Sequence, residues 1–320
     1  MALLVPEVLG LLVVDAVVLA LLAIVLPTAV RVHRHWSFPA ADRAQLARER
    51  RAELAAAVTG FALLVKVPAA ALYLYAVDGL SERIVGAMCG VGVLGNGRDA
   101  GAALALRALV LFLLVAWRTA DRLDRARPEL PYTRPKFTFL LVIFVAVALE
   151  GAFTLSFFGS LQLERIASCC GSVFGAEDGG ATALLAGVPQ PALAAAAAGV
   201  FAALLLAARG RRGVWFGALS VLFALVGAAL SIGLTSPYVF ALPTHRCPFC
   251  LLHAEYAGVG WPLFGLLLVG TTRGAAIGFA VGVLRADPGG YRGALVCDGL
   301  FLVLALAFPL LHVVRHGVWL

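Results

Sequence analysis

The strongest constraint on this chain is a recurring run of apolar residues, each about as long as a membrane is thick. A bilayer core of about 30 Å is crossed by roughly 20 helical residues. Eight runs of that order can be drawn, at 7–30, 54–76, 102–118, 137–159, 191–209, 213–235, 251–273 and 293–313. The composition agrees. Hydrophobic residues make up 62% of the 320 positions and charged residues 13%, with a mean hydropathy of +0.96. A soluble domain carries about 25% charged residues to cover its surface. These numbers exclude a soluble enzyme, a disordered chain, a coiled coil and a secreted disulfide-stapled miniprotein. The expected fold is all-α: a polytopic membrane bundle of about eight transmembrane helices, one membrane domain over 1–320. The seventh run is ambiguous, because its apolar character continues to Leu284 and only Arg273 interrupts it. Residues 274–284 either lengthen that helix or add another piece.

Arginine and lysine set the expected orientation. The loops 31–53 and 118–136 hold six basic residues each, and 209–213 and 273–292 hold three each. The opposite side holds only Arg83, Arg98, Arg165, Arg246 and Arg315. This places 31–53 and 118–136 in the cytoplasm and the N-terminus outside. The net charge of +7 is then a topology signal, and no nucleic acid is called for. The partner is the lipid bilayer, and the expected location is a plasma (inner) membrane. Residues 1–7 carry no basic side chain, so the first run reads as a retained helix and not a signal peptide. Residues 42–53 read as a short amphipathic helix at the membrane surface.

Cysteine placement carries the chemistry. Five of the six cysteines fall in or beside the external loops 77–101, 160–190 and 236–250: Cys89, Cys169, Cys170, Cys247 and Cys250. Cys297 alone lies toward the cytoplasmic end of a run. Cysteines scattered as small hydrophobes would sit mostly inside the runs, and these collect on the oxidising side. Residues 245–256 read His-Arg-Cys-Pro-Phe-Cys-Leu-Leu-His-Ala-Glu-Tyr. In a two-residue-spaced pair, one thiolate attacks a disulfide and the other resolves the mixed disulfide. If the seventh helix starts here, Pro248 suits its first turn, and the helix N-terminus and Arg246 favour a thiolate. Adjacent Cys169 and Cys170 are poorly placed to bond each other, and suit bonds to other cysteines or a grip on a soft ion. Cys89 is left as an exchange partner, a metal ligand or a buried thiol. His253 lies three residues past Cys250 and shares its face if the segment is helical. Sulfur and nitrogen ligands of this kind suit Cu(I) or Zn(II).

Among the charges inside runs are Asp15, Lys66 and Glu150. Each costs about 2.5–3.5 kcal/mol at a span centre unless it is paired or faces a polar interior. They read either as a polar pocket for a cofactor such as a quinone, or as a packing salt bridge from Lys66 to Asp15 or Glu150.

The segment Cys247-Pro248-Phe249-Cys250 at the outer end of a run resembles the reactive pair of the membrane disulfide-generating quinone reductases, and is similar to that of the vitamin K epoxide reductase family. The resemblance is confined to this short segment. It implies a quinone-proximal pair at Cys247 and Cys250, a relay through Cys169 and Cys170, and an external thiol protein as partner.

Three functions therefore stand open. The first is thiol–disulfide exchange coupled to a membrane quinone, with Cys247, Cys250, Cys169 and Cys170 as the catalytic residues. The second is copper or zinc binding through those four cysteines and His253. The third is a membrane scaffold whose disulfides pin the external loops.

Overall fold

The computed structural model describes residues 2–36, 43–164, 166 and 187–320. They are helical with no strand among them. In chain order the helices are α1 (Pro6–His35), α2 (Arg43–Gly79), the short α3 (Gly90–Asn96), α4 (Ala100–Arg125), α5 (Thr133–Ser160), α6 (Gln190–Arg209) and α7 (Gly213–Leu230). A π-turn over Ser231–Thr235 joins α7 to α8 (Ser236–Phe240), and α9 (Gly260–Val283) and α10 (Tyr291–His316) complete the chain. Counting α7, the π-turn and α8 as one segment, eight helices among the described residues are long and apolar enough to cross a membrane. They fall into two four-helix halves. In the first, α1 packs on α2 and α5, and α4 on α2 and α5. In the second, α9 packs on α7 and α10, and α6 on α7 and α10. The contact of α4 with α9 joins the halves.

Small residues permit the tightest approach. A Cβ on Gly217 of α7 would lie 2.5 Å from the Cα of Gly278 on α9, and one on Gly278 would lie 2.7 Å from the Cα of Gly217. Only glycine at both positions lets these two backbones cross, as expected for helices that associate by packing rather than by escaping water.

Several boundaries differ from the sequence expectation. Residues 43–53 are not a separate surface helix. They are the first three turns of α2, which runs unbroken past Pro68 to Gly79. Most of 118–136 belongs to the ends of α4 and α5, leaving 126–132 as the connection. There Asp121 and Asp124, both fully buried, hold Lys136 at 3.0 and 2.6 Å. Asp124 also accepts hydrogen bonds from the Thr133 hydroxyl and the Tyr132 N–H. Residues 274–283 continue α9, so the ambiguous piece is part of the seventh span.

The largest correction concerns where that span begins. Residues 241–259 are an ordered loop with two 3-10 turns, and α9 starts only at Gly260. Ala257 and Gly258 both take left-handed backbone angles, which no α-helix passes through. The loop nevertheless packs apolar side chains, with Phe249 and Leu251 buried, so its hydrophobicity imitates a span.

Candidate thiol and soft-metal site

The loop 241–259 places Cys247 and Cys250 against a second loop, 80–89, which ends in Cys89 immediately before α3. The Sγ atoms of Cys89 and Cys247 are 3.3 Å apart, although the residues are 158 positions apart in sequence. All three sulfurs lie within 4.8 Å of one another. Cys89 and Cys247 are buried, and Cys250 is 9% exposed. No disulfide links Cys89, Cys247 and Cys250 to one another.

Two features clamp the loops together. The first is steric. Gly90 lies on the ring of Phe249, the residue between the two cysteines of the pair. A Cβ at Gly90 would fall 2.4 Å from Phe249 Cδ1, so any side chain there would push Cys89 away from Cys247 and Cys250. The second is polar. Asp78, near the end of α2, accepts a hydrogen bond from the Gly90 N–H at 2.9 Å through Oδ1. Its Oδ2 lies 2.7 Å from His253 Nε2. One carboxylate thus ties the Cys89 loop to the loop of the cysteine pair.

The electrostatics single out Cys247. Hydrogen bonds from the Cys250 and Cys89 thiols, and then from the backbone N–H groups of Cys250 and Phe249, bring its thiol down to about 4 against the opposing effect of burial. Cys250 is pushed the other way. Its S–H is held as the donor to Cys247 and then by Cys89, and burial adds to the shift. These contacts favour the ionised form at Cys247, with Cys250 donating to it. This stabilisation is not that of a helix N-terminus, because α9 begins ten residues beyond Cys250. Burial pushes the nearby His245 imidazole below its ordinary range.

Chemically, three sulfurs at this spacing can accommodate one soft ion. An ion about 2.3 Å from each of three coplanar sulfurs spaces them roughly 4 Å apart, inside the observed range. Thiolate is the ligand type that selects Cu(I) and Zn(II). Beside the cluster lies a cavity of about 390 Å³ lined by Glu7, Asp78, Glu82, Met88, His253 and Glu255, among others.

The sequence candidates distribute as follows. Cys247 and Cys250 are in the cluster. His253 is not a member of it, and its Nε2 faces Asp78 instead. Cys169 and Cys170 lie outside the described residues. Cys89, whose role the sequence leaves open, supplies the third sulfur. Cys297 is on α10 and is not part of the cluster.

Asp15, Lys66 and Glu150 meet inside the first half, together with Arg107 of α4, which sequence reasoning did not single out. Lys66 Nζ is 2.8 Å from Asp15 Oδ1 and 2.7 Å from Glu150 Oε2. An Arg107 terminal nitrogen is 2.6 Å from Asp15 Oδ2 and 3.2 Å from Glu150 Oε1. All four are at most 6% exposed. Two cations and two carboxylates from four helices neutralise one another. The salt-bridge reading of these residues is thus present in the structure. The signal for Arg107 was available in sequence: an arginine well inside the third apolar run needs a partner. Asp298 of α10 is a second missed charge. It is fully buried against Gly270, and neither carboxylate oxygen has a hydrogen-bond partner among the described residues.

Comparison of the chain with known protein families, with curated proteins and with solved structures finds no match.

Proposed function

We propose that this is a membrane protein that binds a soft metal ion, Cu(I) by preference, at the Cys89–Cys247–Cys250 cluster. One observation carries the reading: three sulfurs, from two loops far apart in sequence, converge within 4.8 Å. A disulfide uses two sulfurs and leaves the third over, whereas a three-coordinate ion uses all of them. Three thiolates also suit Cu(I) better than Zn(II), which takes four ligands in closed structural sites. Elemental analysis of the full-length protein, purified without chelator, tests this. The expected result is about one soft metal ion per chain, lost in Cys89→Ser as well as in Cys247→Ser and Cys250→Ser. Retention of the ion in Cys89→Ser would remove the three-sulfur site.

A second reading is favoured by the acidified Cys247 thiol and by its contact with Cys89. Here the cluster performs thiol–disulfide exchange. A thiolate attacks a disulfide sulfur, a new S–S bond forms, and the displaced sulfur leaves as thiolate. Net oxidation of two thiols releases two electrons and two protons, for which a membrane quinone is the acceptor implied by the local resemblance of Cys247–Cys250 to the quinone-coupled families. Cys169 and Cys170 would relay from an external thiol protein. This reading predicts mixed disulfides trapped by Cys247→Ser or Cys250→Ser, and activity that survives metal removal.

A further inference from the structure

At the end of the bundle opposite the cysteines, α4, α9 and the loop into α10 enclose a cleft of about 570 Å³. Arg122 and Thr119 of α4 line one wall and Arg273 of α9 the other, with Gly289, Gly290 and Gly293 alongside. We propose that this cleft binds a phosphate-bearing anion, supplied either by the headgroup of an anionic phospholipid or as free phosphate.

Arg273 lies on α9. It interrupts an otherwise apolar helix ten residues before the end of α9 at Val283, about 15 Å from that end at 1.5 Å per residue. Its side chain is exposed and lines the cleft, where an anion or water can compensate its charge. Every other basic residue this deep in a span, Lys66 and Arg107, has carboxylate partners. Arg273 has no carboxylate within ion-pair distance among the described residues, and neither does Arg122, which makes a 3.5 Å approach to the Thr119 hydroxyl. On the same helix as Arg122, Arg118 and Arg125 both reach Asp121. Both guanidinium groups that line the cleft thus have no carboxylate partner among the described residues.

The remaining lining fits such a ligand. Gly289 and Gly290 take positive φ and have open space where a Cβ would stand. A Cβ at Gly293 would come within 3.2 Å of the Arg273 guanidinium, so the guanidinium lies directly on the backbone of α10. The nearby loop carboxylate, Asp287, accepts from the Gly289 N–H at 2.9 Å and faces Arg211 at 3.7 Å, and it does not line the cleft. Val115, Leu123 and Ile277 add apolar wall, which suits the glycerol and upper acyl region below a lipid phosphate. Basic pockets between transmembrane helices are general headgroup sites, and guanidinium pairs with phosphate oxygens in bidentate fashion.

The test is thermal unfolding of the full-length, delipidated protein in neutral detergent, with phosphatidylglycerol, phosphatidylcholine or inorganic phosphate added. The expected result is a rise of a few degrees with phosphatidylglycerol and none with phosphatidylcholine, lost in the Arg122→Gln/Arg273→Gln variant and kept in Arg209→Gln. An equal rise with inorganic phosphate, lost in the same variant, identifies the source as free anion. Arg122→Gln alone leaves the α9 span untouched and should lose most of the shift. No rise with either anion, or a rise that persists in Arg122→Gln at full size, overturns the proposal.

Discussion

Two buried polar clusters, one inside the first half of the bundle and one beneath its cysteine-bearing end, solve the same problem in opposite ways. Asp15, Lys66, Arg107 and Glu150 come from four helices and cancel: two positive groups meet two negative groups at 2.6–3.2 Å. Cys89, Cys247 and Cys250 come from two loops and do not cancel, because all three offer the same kind of group, a sulfur. A cluster that is complete in itself stabilises a fold. A cluster of like ligands does not balance itself, and leaves room for something added. The lesson is that burial of polar groups does not mark a functional site, and that the balance of their chemistry does.

That contrast can be broken from either side. The largest effect should come from Cys247→Ser. It removes the ionised sulfur, so bound metal should fall from about one per chain to none, measured by elemental analysis, while thermal unfolding changes little. Next is Lys66→Met, which leaves Asp15 and Glu150 facing Arg107 alone. Breaking a buried ion pair on one side costs about 3–5 kcal/mol, which denaturant or thermal unfolding would show, with metal content per folded chain unchanged. If Lys66→Met abolished metal binding in folded protein, the two clusters would not be separable.

A smaller effect is expected at Gly90→Ala. The added methyl meets the Phe249 ring, and overpacking costs about 1–3 kcal/mol. Unlike Lys66→Met, it should also weaken metal retention, because it moves Cys89 away from the pair. A competition titration against a Cu(I) chelator would measure this. The finest test is proton release. The hydrogen bonds that Cys247 receives favour its thiolate, and Cys250 is favoured as the thiol. Metal binding between pH 6 and 7 should therefore release roughly two protons, where three ordinary thiols would release roughly three. Affinity should rise with pH, since the raised thiol must lose its proton to bind. Release of three protons would place no thiolate in the free cluster.

How much of this was legible in the sequence differs between the two clusters. Eight apolar runs announce eight spans because lipid imposes length and composition on each one. The start of the seventh was misread. Leu251, Leu252 and Tyr256 are apolar loop residues, and the left-handed turn at Ala257–Gly258 that stops the helix leaves only a weak trace in composition. Three of the four buried charges could be picked out, because a charge in an apolar run is conspicuous. Their pairing needed the fold, and Arg107 completes it. The cysteine pair at Cys247 and Cys250 was visible as a motif. Its third sulfur was not, because the contact of Cys89 with Cys247 depends on Gly90 fitting under Phe249 and on Asp78 spanning two loops. Such long-range packing has no local signature.

The central claim is that three particular sulfurs hold one ion. X-ray absorption at the copper edge of Cu(I)-loaded full-length protein tests it most directly. Three sulfur neighbours at about 2.3 Å, falling to two in Cys89→Ser, are the predicted result. A two-sulfur or nitrogen–oxygen shell unchanged by Cys89→Ser would contradict it.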